Sequence, residues 1–292
     1  MNRILTRNGE VRPSDAAQDK ALSALYRTVP GRAVLSVLTK PVISALGGAV
    51  LDSSLSTAVI PWFAERYQIP LSDYEPTEYT SYNSFFTRKA RADARPVDSG
   101  PDVLISPCDA KLSVYPITSD SRFIIKQSSY STADLLGCKR LAKRFCGGQC
   151  LIFRLTVEDY HRYCYFDDGT KGKNRFLGGE LHTVNPIALE HCNIYKRNCR
   201  SVTLLHTARF GTAAQIEVGA LMVGKIINHH EGSHTFVRGE EKGMFAFGGS
   251  TVVLLLEPGR AEIDADILRN SQNGDETIVR YGSRIGTVEK IR

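Results

Sequence analysis

Beyond about residue 100 the chain is written in short β-type runs, and this pattern restricts the fold more than any other feature. Val103 to Ile105, Phe123 to Lys126, Leu151 to Thr156, Val202 to His206, Ala214 to Val218, Met222 to Ile227, Thr251 to Leu256 and Ile278 to Tyr281 are rich in β-branched and aliphatic residues. Gly, Asn and Asp separate them, so each run is bounded by turn formers and too short for a globular helix. Runs of this length and spacing build an antiparallel sandwich or a barrel-like sheet. One helical stripe interrupts them at Ser131 to Phe145, where Ser131 can cap and Leu135, Leu136, Leu141 and Phe145 share a face.

The first hundred residues read differently. From Asp15 to about Gly47, Leu22, Leu25, Tyr26, Val29, Val34, Leu35 and Leu38 recur at helical spacing, with breaks at Pro30-Gly31 and Pro41. Pro70, Pro76 and the charged stretch that ends in turn formers near Asp102 set a boundary at about residue 100. The expected class is α+β: an N-terminal helical region over 1–99, then a mainly antiparallel β-sandwich or barrel-like domain over 100–292. With 42% hydrophobic residues in a chain of 292, such a domain has an ample core.

The apolar stretch Pro41 to Ala64 contains Asp52 and is diluted by Ser, Thr, Gly and Pro. It does not read as a spanning helix, which needs about 20 largely apolar residues in a row. The opening residues MNRILTRNGEVRPSD lack the apolar core of a secretory signal. Seven cysteines, at 108, 138, 146, 150, 164, 192 and 199, form no CxxC pair, and an odd number cannot close wholly into intrachain bridges. Free thiols in a reducing compartment are expected. The formal charge of +6 is gathered locally, notably at Lys139, Arg140, Lys143 and Arg144. Beside Leu136, Leu141 and Phe145 this cluster suits an anionic membrane surface. Nucleic acid is disfavoured, because the clusters lack the interleaved aromatics of a binding module.

The sharpest local signal is KGMFAFGGSTVVLLLEPG, in which Gly248, Gly249, Ser250 and Thr251 directly precede the apolar run Val252 to Leu256. Two glycines leave the serine sterically open and permit a turn that presents the Gly249 carbonyl to the Ser250 hydroxyl. Alone, Gly-Gly-Ser-Thr equally describes a hairpin turn. Other segments give it context, in order along the chain: Asn83-Ser84-Phe85-Phe86-Thr87-Arg88, Arg95-Pro96-Val97, Ser106-Pro107-Cys108-Asp109-Ala110 and Asp159-Tyr160-His161-Arg162. Thr183-Val184-Asn185-Pro186 and Glu217 to Gly224 complete the set. Together with Gly248 to Thr251 these segments resemble the phosphatidylserine decarboxylase family over roughly residues 83 to 257.

The resemblance implies a proenzyme that cuts itself with an Asp/His/Ser set, here Asp109, His161 and Ser250, at the bond Gly249–Ser250. Histidine takes the serine proton and a carboxylate fixes the histidine tautomer. The implied products are a β-chain, 1–249, and an α-chain, 250–292, paired as a heterodimer, with Ser250 converted to a pyruvoyl group. That cofactor is the electron sink for decarboxylating phosphatidylserine to phosphatidylethanolamine. The implied partners are phosphatidylserine and an anionic membrane, with the enzyme peripheral on the cytoplasmic face of the cell membrane. No metal is implied, and the adjacent His229 and His230 have no ligand spacing along the chain.

One position departs from the family pattern. Many members carry a second histidine three residues after the first, and here that position is Cys164. Either His161 serves as the base or His182, just before Thr183, replaces it. Arg88, Lys89, Arg91 and Arg95 are candidate ligands for a phosphate headgroup. Three alternatives stay open: a pyruvoyl enzyme acting on a soluble amino acid, a serine hydrolase using the same three residues, and a non-catalytic membrane-binding domain. The hydrolase lacks a Gly-x-Ser-x-Gly elbow.

Overall fold

In the computed structural model, which describes residues 3–13, 16–125, 128–183, 198–220, 225–246 and 250–289, two short strands, β1 (Ile4–Leu5) and β2 (Val11–Arg12), open the chain. Helices α1 (Ala16–Arg27), α2 (Val29–Leu38), α3 (Pro41–Leu51), α4 (Ile60–Arg66) and α5 (Tyr82–Phe86) follow. The prolines open helices here instead of interrupting them. Pro30 lies in the first turn of α2, where the Thr28 hydroxyl accepts from Gly31 N, and Pro41 starts α3.

The β-rich part begins with β3 (Val103–Ile105), β4 (Ala110–Pro116), β5 (Arg122–Ile125) and β6 (Ser128–Ser131). Helices α6 (Thr132–Leu136) and α7 (Lys139–Ala142) come next. Strands β7 (Gln149–Leu155), β8 (Arg162–Cys164), β9 (Gly169–Lys171), β10 (Arg175–Leu177), β11 (Arg200–Thr207) and β12 (Thr212–Val218) follow. The chain continues through β13 (Ile226–Asn228), β14 (His234–Phe236), β15 (Glu241–Phe245), β16 (Ser250–Leu256) and β17 (Ala261–Ile263). Helix α8 (Ala265–Gln272), β18 (Glu276–Val279) and β19 (Arg284–Val288) complete it.

The main sheet runs β14-β9-β11-β12-β16-β7-β4-β18-β1-β2, with β10 beside β11. Its pairings are antiparallel except β1 with β18. Small sheets β13-β15-β8 and β17-β19-β3 accompany it. The α+β expectation holds. Among the described residues the main sheet does not close, so the layers are sandwich-like and not a barrel.

Strand β16 sits in the middle, paired with β12 on one side and β7 on the other, and all seven of its residues are buried. Alternation divides it between two cores. Val252, Leu254 and Leu256 join a cluster with Phe85, Phe86, Phe153, Leu155 and Tyr163. Val253 and Leu255 join a second, with Tyr26, Leu35, Leu135, Phe145 and Ile216. The N-terminal helices are shared between these faces: α4 and α5 pack on the first, α1 and α2 on the second.

Two departures from the sequence pattern have local causes. The expected helix Ser131 to Phe145 starts as read, with the Ser131 hydroxyl accepting from Ala133 N, but Gly137 adopts φ +60° and ends it after Leu136. Strand β4 has no apolar run to announce it, because Lys111 and Ser113 alternate with Leu112 and Val114 and are nevertheless buried. Of the expected strand Met222 to Ile227, residues 226 and 227 lie in β13; Met222 to Gly224, like Lys126, lie outside the described residues. The six described cysteines are free.

Candidate active site

The N-terminal end of β16 and the C-terminal end of β7 meet at one end of the central strands, where Ser250 faces Leu155 in register. Alternation puts the Ser250 side chain on the first face, with Val252 and Leu254. Its Oγ is buried and has no hydrogen-bond partner. A buried hydroxyl left unpaired costs on the order of 1–3 kcal/mol, so this atom is held ready at the expense of stability. Gly248 and Gly249 lie outside the described residues, as do Val184, Asn185 and Pro186.

The segment after β7 supplies the other half of the site. Asp159 folds back so that its carboxylate accepts from Thr156 N at 2.7 Å, Thr156 Oγ1 at 2.8 Å and Lys111 Nζ at 2.7 Å. Burial opposes ionisation of Asp159, but the Lys111 ammonium outweighs it and holds the carboxyl below its usual range. Tyr160 Oη accepts from Ala90 N, and Arg162 donates to the carbonyls of Thr87 and Arg88 and to Glu241. Each residue of Asp159-Tyr160-His161-Arg162 is thus fixed by a different neighbour.

His161 is fully buried against Phe86, with ring centroids 4.0 Å apart. Its Nδ1 lies 2.9 Å from the Asp159 carbonyl oxygen. A carbonyl only accepts, so Nδ1 carries the proton and Nε2 presents a lone pair. That Nε2 has no partner either. Burial pushes the imidazole down to about 3, which keeps it neutral. The His161 carbonyl accepts from Phe245 N, tying the loop to the strand that leads toward Ser250.

His182 occupies the other layer. Its Nε2 is 2.8 Å from Glu180 Oε2, its Nδ1 is 3.3 Å from the Tyr26 hydroxyl, and Asn198 brackets its backbone. Tyr26 belongs to the second cluster, across the sheet from the Ser250 side chain. Asp109 is held by Arg95, with Nη2–Oδ2 at 2.8 Å, and by Tyr281 N at 2.8 Å. No hydrogen bond links Asp109, His161 and Ser250 to one another; within these three residues His161 Nε2 and Ser250 Oγ are the buried side-chain atoms without a partner. Cys164, where the second family histidine would stand, is buried, and burial pushes its thiol up to about 12.

Sequence reasoning missed the ion pair Lys242–Glu217. Both side chains are fully buried, with Nζ 2.8 Å from Glu217 Oε1 and 2.6 Å from Asn228 Oδ1. Burial pushes the Glu217 carboxyl up and the Lys242 ammonium down. Glu217 lies opposite Val252, on the same face as Ser250. The signal for it was a single carboxylate inside the apolar run Ala213 to Ala220.

The four basic residues considered for a headgroup are engaged within the protein. Arg88 is buried over the Tyr74 ring at 4.4 Å and donates to the Glu158 carbonyl. Arg95 holds Asp109, while Lys89 pairs with Glu75 and Arg91 with Asp93.

A family model described as phosphatidylserine decarboxylase matches residues 82–287. Phosphatidylserine decarboxylase proenzyme 2 of Clostridium acetobutylicum is 43% identical over 266 residues, 91% of each chain. The phosphatidylserine decarboxylase proenzyme of Ruminiclostridium cellulolyticum is 38% identical over 275 residues, 92% of each chain. That of Chlamydia caviae is 36% identical over 273 residues, 92% of this chain and 91% of the relative. With the model spanning more than half of the chain and the likeness covering nearly all of it, this chain belongs to the phosphatidylserine decarboxylase family.

Proposed function

We propose that the chain is a proenzyme that cuts itself between Gly249 and Ser250 and then decarboxylates phosphatidylserine to phosphatidylethanolamine at an anionic membrane. The observation that carries this reading is the Ser250 hydroxyl, buried and unpartnered at the head of the central strand, with the equally free Nε2 of a neutral His161 on the same face.

In the cleavage, His161 Nε2 accepts the Ser250 proton while Oγ attacks the Gly249 carbonyl. The Gly249–Ser250 C–N bond breaks, the proton passes to the released amine, and an ester joins Gly249 to Oγ. Loss of the Ser250 α-proton then expels the Gly249 carboxylate, leaving 1–249 with a free C-terminus and a dehydroalanine at 250. Water adds at its α-carbon and ammonia leaves, so a pyruvoyl group heads the chain 250–292. The Asp159 carbonyl orients His161, and Asp109, itself held by Arg95, clamps the turn at Tyr281 by accepting directly from its backbone N–H.

A pyruvoyl group fits this position: its methyl would stand at the Ser250 β-carbon, where the buried surroundings offer no hydrogen-bond partner to the oxygen that departs. Its carbonyl supplies the electron sink that amino-acid decarboxylation needs. In this reading His161 Nε2 moves the proton, and the buried cluster that holds Phe86, Tyr163 and Phe245 on this face keeps water out.

Substrate delivery rests on the outer surface. Val29, Val42, Leu46, Val50, Leu55 and Trp62, on and around α2 to α4, are exposed, Leu55 by 85% and Trp62 by 61%. Lys139, Arg140 and Lys143 are also exposed, and α6 and α7 pack on the same sheet face as α1 and α2. Exposed apolar side chains together with exposed basic ones suit a peripheral position on the anionic cytoplasmic leaflet. Among the described residues no helix is long and apolar enough to cross a membrane.

Intact-mass analysis of the purified protein beside Ser250→Ala tests the reading. The expected result is two fragments split after residue 249, the smaller bearing an N-terminal pyruvoyl group, and an uncut variant. An uncut, unmodified wild-type chain would sink the proposal. Cutting without carbon dioxide release from phosphatidylserine vesicles, but with release from a soluble amino acid, would move the substrate to the soluble class.

A further inference from the structure

On the edge of the main sheet, away from Ser250, folding assembles a ligand set that the sequence separates. His230 lies in the turn between β13 and β14, His234 begins β14, and Glu240 directly precedes β15. One donor atom from each lies within 4.8 Å of the others. The imidazole rings stack with centroids 3.7 Å apart and planes at 17°. Both turn Nε2 toward the same carboxylate oxygen: His234 Nε2 is 2.5 Å from Glu240 Oε1, and His230 Nε2 is 3.9 Å from it. The second distance is beyond a hydrogen bond, so the carboxylate satisfies only one of the two nitrogens.

The backbone under these side chains is clamped. Asn174 Nδ2 donates to the His230 carbonyl, Asn174 N to the Glu231 carbonyl, and Lys171 Nζ to the Gly232 carbonyl. His234 is paired with Lys171 in the sheet. Tyr165 N donates to the Glu240 carbonyl, while Glu240 Oε2 accepts from Val237 N. The three donors therefore project from fixed positions, and only side-chain rotation is needed to adjust them.

We propose that His230, His234 and Glu240 form a binding site for a divalent transition-metal ion of the zinc class. Two imidazole nitrogens and one carboxylate oxygen match the donor preference of zinc and its neighbours, whereas magnesium and calcium favour all-oxygen sets. Zinc bonds of about 2.0–2.1 Å put tetrahedral donors roughly 3.3 Å apart. His234 and Glu240 must open slightly to reach that spacing and His230 must close. The remaining position is left to water, because both histidines are partly exposed. The bound ion ties the turn after β13 to the strand that carries Lys242 and leads toward Ser250.

The test uses full-length protein carrying no histidine tag, dialysed against a chelator and titrated with zinc chloride alone. The expected result is saturable uptake of one ion per chain, and visible ligand-field bands of tetrahedral type when cobalt(II) replaces zinc. His234→Gln and His230→Gln should each weaken zinc binding by at least about tenfold, whereas His229→Gln, whose ring pairs with Glu241, should leave it unchanged. Self-cleavage of each variant reports that it has folded. Absence of saturable uptake by the wild type overturns the proposal, as does uptake that survives both substitutions or is displaced equally by magnesium. If a variant does not fold, the wild-type cobalt spectrum decides: octahedral bands or none reject the site.

Discussion

One face of the central strands and the N-terminal helices violate the usual partition of polar and apolar groups in opposite directions. At one face of the central strands the protein buries Ser250, His161, Glu217 and Lys242, groups that water would stabilise. On and around α2 to α4 it exposes valines, leucines and Trp62, which water would expel. Ordinary folding explains neither, since each inversion lowers the stability of the isolated chain. The first is rational if the buried groups react with one another, and the second if the surface meets a non-aqueous phase. The two inversions are therefore separable: one should govern chemistry, the other access to substrate.

The largest expected effect distinguishes the two histidines within the buried region. His161→Ala should slow self-cleavage by about 10²–10⁴-fold, the usual contribution of a positioned base. His182→Ala, in the opposite layer, should slow it by less than about tenfold. Time courses of fragment appearance would measure both, and the reverse ranking would hand the proton to His182.

Next in size is the buried ion pair. In an uncut Ser250→Ala background, Lys242→Met should cost about 3–5 kcal/mol, because it strands a buried carboxylate. Adding Glu217→Leu should recover most of that loss, as urea unfolding would report. A double variant as unstable as the single one would mean that the pair acts through Asn228 and not through its charges.

The exposed region should behave in the opposite way. Leu55→Glu with Trp62→Glu should leave unfolding free energy within about 0.5 kcal/mol, as expected of surface sites, while lowering affinity for phosphatidylserine vesicles by about tenfold or more. Sedimentation with vesicles would show it; unchanged binding would break the comparison.

The last test is a pH slope. His161 titrates near 3 when folded, against 6.5 for a free imidazole. Between those values the unfolded chain binds a proton that the folded chain refuses. The resulting stability is complete above pH 6.5 and is lost as pH falls toward 3, by up to about 1.4 kcal/mol per pH unit. Denaturation of Ser250→Ala at pH 6.5 and 5, above most carboxylate titration, should show the slope, and His161→Gln should remove it.

What the sequence revealed follows the same division. Strand β16 was legible because its seven residues are buried on both faces and read as a continuous apolar run after a glycine turn. The local order of Asp159 to Arg162 was legible as a motif. The choice between His161 and His182 was not, because it depends on which face of the sheet Ser250 takes relative to Tyr26 and Phe86. Strand β4 was hidden by Lys111, a cation buried only because Glu158 and Asp159 come back to meet it from 47 and 48 residues away. Lys242 and Glu217 are 25 residues apart and become partners only because β15, a strand of the small sheet β13-β15-β8, brings its lysine to the face of β12 in the main sheet.

The central place of β16 bears on what happens after the chain is cut. Residues 250–292 enter the main sheet twice, as β16 between β12 and β7 and as β18 between β4 and β1. If the chain is cut before Ser250 as proposed, the smaller product is woven through the larger one and stays in the sheet without the bond that guided its assembly. Before the cut, refolding is a search by one molecule, independent of concentration. Afterwards two separate chains would have to find each other, and the smaller no longer holds the serine that began it. Cut in this way, the protein would be a single-use assembly: once melted, dilution would prevent its recovery, and its working lifetime would be set by how slowly that interwoven sheet comes apart.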